Sequence, residues 1–496
     1  MFRPIFIVKS SLFGSVIPQR LFLVAFFVTG LVSCEKKPSG ASSDQPEALV
    51  GNRAVGSEAT NAPDGFLVVD SLEALRPYLS ASGAKVRLAP GTYRLDSADS
   101  PDFLSLTGDD SHFDFTGVKI EVDQALLEKF TGGTNILMLK GTRLIVDGLT
   151  LETVGEGIAL GGTRAISIMG ADNVLKNVSL RVAGSSPYGY GSFLGIGKGA
   201  SIKLSKVNGI RVGGDNARVE NCRVVMRGLG HGIFIRGAHN TLIKNCHVEG
   251  VLRKTDDILA ETSGPAFERG FKQYTGVPIP AGEMTSLSED GIRAYDADEN
   301  KRRTTGITVE NCTVTRMRRG ICLAFAVGPN SVSGSTVTEC ERAGFNLGSN
   351  TTVRNCRGDA LYTQVLDIHS AGSKNADVEM EVLDSRKHYG NDLLAKINGS
   401  AHRVVLRAAA PYAVPPDMTI EIASDRGFGE GRKDDLRASK IVLVNDTLAA
   451  VNLNANATSC DVESLGPVTN LGENNIVEQL AKAGREENPH SANARP

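Results

Sequence analysis

The chain places chemically useful side chains at equivalent points of a short repeated pattern. His231 and Asp290 each precede a Gly-Ile pair, and Arg293 and Tyr295 follow the second of these pairs. A histidine or a tyrosine can move a proton, and a guanidinium binds a carboxylate through parallel N–H groups. We therefore expect abstraction of a proton next to a carboxylate, with His231 as base, Tyr295 as acid and Asp290 orienting His231.

Further arginines occupy the same positions in neighbouring copies of the pattern. They are Arg211, Arg236 and Arg319, in addition to Arg293. A polyuronic chain carries one carboxylate per sugar, and arginine forks can neutralise it so that the adjacent ring proton becomes acidic. We expect Arg211, Arg236 and Arg293 to clamp this carboxylate, with Arg319 and Lys254 as further substrate-binding residues. These residues are compatible with β-elimination on a carboxylate-bearing chain, and together with the resemblance described below they predict a lyase that cleaves an anionic polysaccharide.

Two other chemistries remain open on the same residues. Glycoside hydrolysis needs one carboxyl group as acid and another as base or nucleophile, and the available ones are Asp256, Asp257, Glu261, Glu289 and Asp290. Calcium is an alternative to arginine for neutralising the substrate, and Asp256, Asp257 and Glu261 are its candidate ligands. The purely structural explanation of residues 254–261 is a solvated loop.

A third interpretation is a protein that binds a glycan without cleaving it. The sequence has no tryptophan, which disfavours stacking on neutral sugars. Arginine with little aromatic surface suits an anionic chain better. The expected partner is therefore an anionic polysaccharide in the lyase and in the binding interpretation.

Composition excludes some classes of protein. The 54 basic and 56 acidic residues give a net charge of −2, which provides no field for a phosphate backbone, so nucleic acid is not an expected partner. A chain of 496 residues is too long for one ordinary compact core, so we expect either several domains or one elongated repeat architecture. The 54 glycines and 5% aromatic residues favour stacked β structure over helix bundles. We expect a monomer.

A repeated pattern, apolar-x-Asn-Cys-x-apolar, runs through the middle of the chain. Its copies are Val219–Val224, Ile243–Val248, Val309–Val314 and, truncated, Val353–Arg357. A second short strand, Gly-apolar-x-apolar, precedes each copy, and asparagines mark the turns. Two short strands with alternating apolar residues in a period of about 22 residues are typical of one rung of a parallel β-helix. The fold class is therefore all-β, a parallel β-helix whose stacked asparagines form ladders.

The cysteines fall into two groups. Cys222, Cys246, Cys312 and Cys356 share one inward position of the repeat, which predicts a buried apolar column rather than disulfides or metal ligands. Three others, Cys322, Cys340 and Cys460, have no such explanation. An exported chain can pair them, and the sequence does not say which.

The repeat is interrupted twice. From Leu180 to Asn208 there are 28 residues, and from Val248 to Asp290 there are 42, where a regular copy needs about seven. Both interruptions leave the same repeat position, so we expect two long loops that rise from one edge and wall a cleft. The alternative is that they contain degenerate rungs.

The segment Val86–Leu95, which follows Val69–Leu72, resembles the opening rung of pectin-lyase-like β-helix proteins, including chondroitinase B-like and alginate-lyase-like polysaccharide lyases. The resemblance covers about 66–465 and implies a right-handed helix and a polysaccharide substrate. It carries no catalytic motif of one enzyme family over to this chain.

The N-terminus has the pattern of an export signal. Arg3, Lys9 and Arg20 precede a twelve-residue apolar run at 21–32, which is too short to span a bilayer. The run ends in Leu-Val-Ser-Cys34, which resembles the bacterial lipobox. That resemblance implies a lipid on Cys34 and an outer-membrane lipoprotein. We expect a signal peptide at 1–33, a tether at 34–62, the β-helix at 63–471 and a disordered or frayed tail at 472–496.

Overall fold

A computed structural model describes residues 60–385, 391–424, 426 and 436–481. These residues all belong to one compact unit. Their strands form parallel sheets in which each strand pairs with the equivalent strand of the next rung. The right-handed parallel β-helix expected from the sequence is therefore the fold of this protein.

Three sheet faces enclose the core. Face 1 consists of Leu67–Val69, Lys85–Leu88, His112–Asp114, Ile145–Asp147, Val174–Lys176, Arg218–Glu220, Leu242–Lys244, Thr308–Glu310, Asn330–Ser333, Thr351–Gly358, Asp377–Val382, Arg403–Ala408, Val442–Asp446, Asp461–Ser464 and Ile476–Gln479. Face 2 consists of Gly91–Leu95, Val118–Asp123, Thr150–Val154, Ser179–Val182, Arg223–Met226, His247–Glu249, Thr313–Thr315 and Thr336–Thr338. It merges with face 1 through the long strand Thr351–Gly358, which pairs with both faces.

Face 3 carries the residues singled out for chemistry. Its strands are Asp102–Leu106, Thr134–Leu139, Thr163–Ile168, Val207–Val212, Ile233–Ile235, Asp290–Ala294, Arg319–Cys322, Ala343–Asn346, Leu366–Ile368, Leu393–Ile397, Thr419–Ile422, Ala450–Leu453 and Val468–Asn470. Along this face the outward column expected from the sequence is confirmed by the strand register, in the order Ser167, Arg211, Phe234, Arg293, Cys322 and Asn346.

The remaining elements are short. The α-helices are Leu72–Leu75, Thr255–Leu259 and Pro265–Glu268, and the 3-10 helices are Arg76–Tyr78, Gln124–Lys129 and Gly197–Gly199. The minor strands are Thr60–Asn61, Leu252–Lys254, Met284–Ser286, Gly399–Ser400, Ala438–Ser439 and Ala457–Thr458. No helix in the described part of the chain is long and apolar enough to cross a membrane.

Side chains inside the helix stack in columns. Cys222, Cys246, Cys312 and Cys356 are all buried free thiols, as expected. Cys322, Cys340 and Cys460 are also buried and unpaired, so the described residues contain no disulfide between them. Cys340 lies in the apolar core, where burial raises the pKa of its thiol above the usual range. Cys322 instead belongs to the outward column of face 3, and its Sγ lies 3.1 Å from Oδ1 of Asn346.

Asparagine ladders hold the turn between faces 1 and 2. Asn177, Asn221 and Asn245 all have φ between 53° and 56°, a left-handed conformation that asparagine tolerates. The Nδ2 group of Asn221 donates to Oδ1 of Asn177 at 3.1 Å, and Asn245 donates to Asn221 at 3.0 Å. The repeat asparagine is therefore a turn residue whose amide links successive rungs.

Glycine marks the corner between faces 2 and 3 because no side chain fits there. A Cβ atom on Gly232 would lie 2.3 Å from Cγ1 of Val248, and one on Gly291 would lie 2.3 Å from Cγ1 of Val314. Heavy atoms in van der Waals contact are about 3.5–4 Å apart. The two faces therefore approach too closely for any larger residue.

Both interruptions are loops rather than degenerate rungs. Ile210 pairs directly with Ile233, and Ile233 with Ile292, so successive rungs of face 3 are adjacent across the second interruption. Ile166 likewise pairs with Ile210 across the first. We call residues 183–206 the first insertion and residues 250–288 the second.

The two insertions share a small core of their own. It consists of Tyr190, Phe193 and Leu194 from the first insertion and Ile258, Ala266 and Ile279 from the second. The second insertion begins and ends in an antiparallel pair, Leu252–Lys254 with Met284–Ser286. The insertions therefore form one packed structure on the edge of the β-helix. This agrees with the expectation that both loops leave the helix at the same position of the repeat.

The predicted end of the β-helix requires a correction. Strand Ile476–Gln479 pairs in parallel with Asp461–Ser464, so the fold continues beyond the predicted limit at 471. Its four side chains are exposed, so the pattern of a buried apolar face did not reveal it. The strand is held by backbone hydrogen bonds and by the Gln479 side chain, whose Nε2 donates to the carbonyl of Ser464 at 2.8 Å. The signal peptide, most of the tether and Cys34 lie outside the described residues, as does the tail beyond 481.

Candidate active site

A cavity of about 490 Å³ opens between face 3 and the first insertion. The side chains that line it include Arg164, Ile202, Lys203, Leu204, Lys206, Asn208, His231, Phe234, Arg236, Glu289 and Tyr295. Four of these are cations and one is a carboxylate, so the lining has an excess of positive charge. Of the residues predicted to do chemistry, His231, Tyr295, Arg236 and, from the hydrolase alternative, Glu289 are brought together here.

His231 lies at the floor of the cavity, where it is only 4% exposed. Its Nδ1 atom accepts a hydrogen bond from the backbone N–H of Asp290 at 3.1 Å. Its backbone N–H donates to Oδ1 of Asn208 at 2.9 Å. Burial lowers the pKa of His231 to about 4, against the opposing charges of Glu289 and Asp290, so the ring is neutral at neutral pH.

Tyr295 faces His231 across one hydrogen bond. The phenolic Oη lies 2.7 Å from Nε2 of His231. The guanidinium carbon of Arg293 lies 4.7 Å from the centre of the tyrosine ring, and that of Arg236 lies 5.6 Å from it. Burial raises the pKa of Tyr295 to about 12, although the charge of Arg293 opposes the rise. Two cations therefore flank the ring whose hydroxyl faces the imidazole.

Two buried carboxylates lie behind this pair. Glu289 contacts Lys206 at 2.7 Å and Arg318 at 3.3 Å, and its other oxygen lies 3.3 Å from Nε2 of His231. Burial acts to raise the pKa of Glu289, but Arg318 and Lys206, together with His231 when it is protonated, lower it to about 2. Glu289 is therefore an ionised carboxylate near the cavity floor.

Asp290 is fully buried and belongs to the same network. Arg318 donates to its Oδ1 from Nε at 3.2 Å and from Nη2 at 3.1 Å, and Arg293 donates to its Oδ2 at 2.5 Å. Arg319 lies 3.6 Å from the same carboxylate. Burial acts to raise the pKa of Asp290, but these arginines hold it well below its usual range.

The structure corrects the predicted role of Asp290. Its carboxylate lies 3.9 Å from Nδ1 of His231 and is held by arginines. The group that orients the imidazole is the backbone N–H of the same residue. The sequence identified the right residue but not the right atom, because a backbone donor carries no signal in the residue type.

Most of the predicted carboxylate clamp is not in the cavity. Arg293 is packed between the rings of Tyr295 and Phe325 and bonded to Asp290, and Arg319 pairs with Asp290. Arg211 pairs with Glu299 at 3.3 Å outside the cavity lining. Carboxylates of the protein itself thus pair with arginines that the sequence analysis assigned to the substrate.

Arg236 is the exception among the predicted clamp residues. It lines the cavity while its Nη1 bonds Glu299 at 2.8 Å. Lys254, in contrast, is exposed on the hairpin of the second insertion and is not among the lining residues.

The candidate calcium ligands do not converge. Oδ1 of Asp256 accepts the backbone N–H of Gly282 at 2.8 Å, whereas Glu261 pairs with Arg253 at 2.7 Å and accepts from Tyr190. Asp257 is exposed. Within the described ranges, no three His, Cys, Asp or Glu side chains are grouped to hold a metal ion. The calcium site considered at Asp256, Asp257 and Glu261 is therefore not supported.

Three cations of the cavity were not predicted as substrate-binding residues. They are Arg164, Lys203 and Lys206. Arg164 is the most informative, because its Nε is buried and has no hydrogen-bond partner among the described residues. Burial and the nearby Arg211 lower its pKa. Arg164 and Asn208 are register partners on face 3, so the repeat alignment contained the signal for this position.

The fold and the cavity define the class: a parallel β-helix protein with a cationic, loop-walled cleft. No protein-family model and no curated protein sequence matches the chain. Among solved structures it is similar to a PL6 alginate lyase in complex with a trisaccharide, at 14% identity and a TM-score of 0.39, covering 83% of this chain and 87% of that one.

Two further similar structures have different activities. The A-module of the Azotobacter vinelandii mannuronan C-5 epimerase AlgE6 has 10% identity and a TM-score of 0.36, with 84% of this chain and 97% of that one covered. A tailspike protein mutant of E. coli bacteriophage HK620, in complex with a hexasaccharide, has 11% identity and a TM-score of 0.44, with 82% and 76% covered. The likeness concerns the fold, and the ligands belong to those proteins.

Proposed function

We propose that this protein is a polysaccharide lyase that cleaves a uronate-containing glycan by β-elimination. The observation that carries the proposal is the hydrogen-bonded pair of His231 and Tyr295 at the floor of a cavity lined by four cations. β-Elimination needs a group that removes the proton at C5, a donor for the leaving oxygen and positive charge at the carboxylate. The cavity offers all three in one place.

The cations suit a polyanion better than a neutral glycan. Arg164 has an unpaired buried Nε, and Lys203 is exposed on the wall formed by the first insertion. A uronate carboxylate accepts hydrogen bonds from such groups, and charge-assisted bonds are roughly twice as strong as neutral ones. A substrate with a carboxylate on each sugar therefore has partners at the reacting sugar and at its neighbour.

A hydrolase would need two carboxyl groups facing the substrate, one of them protonated. Glu289 is the one carboxylate among the described residues that line the cavity. Lys206 and Arg318 neutralise it and its pKa is about 2, so it cannot serve as the acid at neutral pH. Asp290 is fully buried. The geometry therefore supports the lyase over the hydrolase.

The test is direct incubation with a panel of polyuronates and glycosaminoglycans. A lyase produces a C4–C5 double bond, which absorbs in the far ultraviolet, whereas a hydrolase produces reducing ends without that absorbance. Rising absorbance with at least one uronate glycan is the expected result. Glycan retention on an affinity gel with no absorbance and no new reducing ends would instead identify a binding protein without catalysis.

We also propose that the protein is an outer-membrane lipoprotein. The support is the apolar run at 21–32 followed by Cys34, which is the residue that would carry the lipid. A tether after this cysteine would present the cavity to large extracellular glycans. We propose a monomer in this setting.

A further inference from the structure

The hydrogen bonds of His231 determine where its proton lies. A backbone N–H is always a donor, so Nδ1 of His231, which receives the N–H of Asp290, must present its lone pair. A neutral imidazole with an unprotonated Nδ1 carries its hydrogen on Nε2. Nε2 therefore donates to Oη of Tyr295, the nearer acceptor at 2.7 Å, with Oε2 of Glu289 at 3.3 Å as a second acceptor, and it has no lone pair with which to take a proton from a substrate.

The same arrangement occurs at a second histidine, which lies far along the chain. Nδ1 of His402 accepts the backbone N–H of Ala376 at 2.9 Å, and its Nε2 lies 3.1 Å from the carbonyl oxygen of Asn398. A carbonyl oxygen can only accept, so Nε2 of His402 must carry the hydrogen. His402 therefore has the same tautomer as His231, with the hydrogen on Nε2, and its acceptor is unambiguous. His402 does not line the cavity.

Within the His231–Tyr295 pair, Tyr295 is then the group that can exchange a proton with the substrate. Because Oη accepts from His231, its own hydrogen points elsewhere, and among the described residues the hydroxyl has no second hydrogen-bond partner. Tyr295 lines the cavity, so this hydrogen is directed to the space that the glycan would occupy. The N–H of His231 and the cations Arg293 and Arg236 are placed to stabilise a phenolate.

We propose that Tyr295 acts as base and then as acid in the same elimination, and that His231 is a positioning residue that holds and stabilises its phenolate. The inference rests on the proposed lyase function and reverses the assignment of His231 as base. The phenolate Oη, formed by loss of its proton to solvent, takes the C5 hydrogen. The C5–H electrons form the C4–C5 double bond, the C4–O bond breaks, and the phenol returns its proton to the leaving oxygen.

A single proton carrier restricts the stereochemistry of the substrate. One oxygen can serve both positions only when the C5 hydrogen and the C4 oxygen lie on the same face of the ring, so the elimination is syn. In 4-linked D-mannuronate and D-glucuronate these groups are cis. In L-guluronate and D-galacturonate they are trans. The substrate class is therefore a 4-linked glycan with mannuronate- or glucuronate-type stereochemistry at the reacting sugar.

Tyr295 as base and His231 as base also predict a different dependence of the cleavage rate on pH. Charged or titratable groups that face Tyr295 are His231, Glu289, Asp290, Arg236, Arg293 and Arg318. Because the pKa of Tyr295 is about 12, the phenolate fraction rises about tenfold per pH unit below that value. A histidine base with a pKa of about 4 would give a rate that is constant above about pH 5.

The first experiment compares initial rates on poly-mannuronate and a 4-linked glucuronan with rates on poly-guluronate and poly-galacturonate. We expect the initial rates on poly-mannuronate and the glucuronan to be at least about tenfold higher than those on the other two substrates. Preferential cleavage of the trans substrates would overturn the single-carrier mechanism while leaving the lyase proposal intact. Absence of cleavage on all four, and on the wider uronate panel, would overturn both.

The second experiment separates a histidine base from a histidine donor. In His231→Gln the side-chain amide can still donate to Oη but cannot act as a base. We expect His231→Gln to retain activity within about tenfold and to keep the alkaline rise in kcat/KM, whereas His231→Ala loses about 10²-fold or more. His402→Gln, a buried histidine outside the cavity, is the control for folding. Equal inactivity of correctly folded His231→Gln and His231→Ala, with a flat wild-type profile above pH 5, would overturn the proposal.

Discussion

The imidazole of His231 takes its orientation from the main chain of Asp290, whose N–H bonds Nδ1 at 3.1 Å, while the Asp290 carboxylate turns away to Arg318 and Arg293. One residue thus performs two separate tasks in the site. Its amide fixes the tautomer of the histidine, and its side chain anchors the cations behind Tyr295. The consequences can be tested one group at a time.

Tyr295→Phe should remove most of the turnover. The variant keeps the aromatic ring between Arg293 and Arg236 but lacks the oxygen that exchanges the proton, so we expect a loss of about 10² to 10⁴ in kcat. The measurement is the initial rise in absorbance of the unsaturated product. Tyr93→Phe is the matched control, because its hydroxyl bonds the backbone of Ala89 near the start of the β-helix. Full activity of Tyr295→Phe would contradict the mechanism.

Arg164→Ala should weaken binding of anionic glycans. Its Nε is buried without a partner among the described residues and its Nη1 donates to the carbonyl of Gly162 at 3.1 Å, so removal affects chiefly the ligand and leaves no described carboxylate without its ion pair. We expect KM to rise by about 10-fold, with a weaker dependence on salt concentration, since one charge contact is lost. Lys244→Ala, which breaks a surface pair with Glu310 on face 1, should leave KM unchanged. An unaltered KM in Arg164→Ala would place the substrate elsewhere.

Acid should destabilise the protein through its buried histidines. The pKa of His231 is about 4 in the folded state and 6.5 is its ordinary value, so between these values the unfolded chain binds the proton more readily. Stability is therefore full above about pH 6.5 and falls as the pH decreases, by about 3 kcal/mol at pH 4 for this one residue. His402 has the same shift.

Melting temperatures measured from pH 7 to pH 4 check this dependence. His402→Gln should flatten part of the decline without altering activity. The His402 ring bonds uncharged backbone groups, namely the amide of Ala376 and the carbonyl of Asn398, with the backbone of Ser373 as a further partner. An identical decline in wild type and in the variant would show that other groups control acid stability.

Gly232→Ala should destabilise the β-helix. The added Cβ would meet Val248 at 2.3 Å and the carbonyl oxygen of Gly291 at 2.8 Å. Overpacking of this kind costs about 1–3 kcal/mol, so we expect a lower melting temperature and reduced yield. Gly132→Ala is the control, because a Cβ there has no atom of the described residues within 4 Å. Equal melting temperatures for the two variants would contradict the close approach of faces 2 and 3.

Cys34→Ser should release the protein from the membrane fraction. The expectation follows from the proposed lipid anchor on this cysteine, since a serine cannot carry the thioether-linked lipid. Fractionation of cells that express the full chain provides the measurement. Retention of the folded variant in the membrane fraction would contradict the anchor.

The sequence predicted the fold well because a β-helix repeats the same interactions in every rung. A period-2 alternation, a turn asparagine and a corner glycine recur, so one rung supplies the register of the next. That is why the outward column from Ser167 to Asn346 could be aligned correctly from residue types and spacing alone. Strand Ile476–Gln479 escaped prediction because it has the hydrogen bonds of a rung without its apolar pattern.

The site was only partly predictable for a different reason. The alignment showed which residues point outward, but Arg293 and Tyr295 both do so and only Tyr295 lines the cavity. Which of them contacts a ligand depends on the carboxylates below, since Asp290 binds Arg293 internally. Arg318 was missed because it is buried beside the outward-facing Arg319, where the repeat gave no reason to expect a charge.

The shared core of the insertions has a consequence for how this scaffold can change. Tyr190 and Phe193 precede Ile258 and Ile279 by more than one rung in sequence, yet they pack together away from the main core. The first insertion, which lines the cavity, is thus packed against the second, and together they form one module with two separate attachments to the solenoid. An exchange of both insertions together would transplant a new substrate preference onto the unchanged rungs, whereas an exchange of either alone would leave half of an apolar interface without its complement.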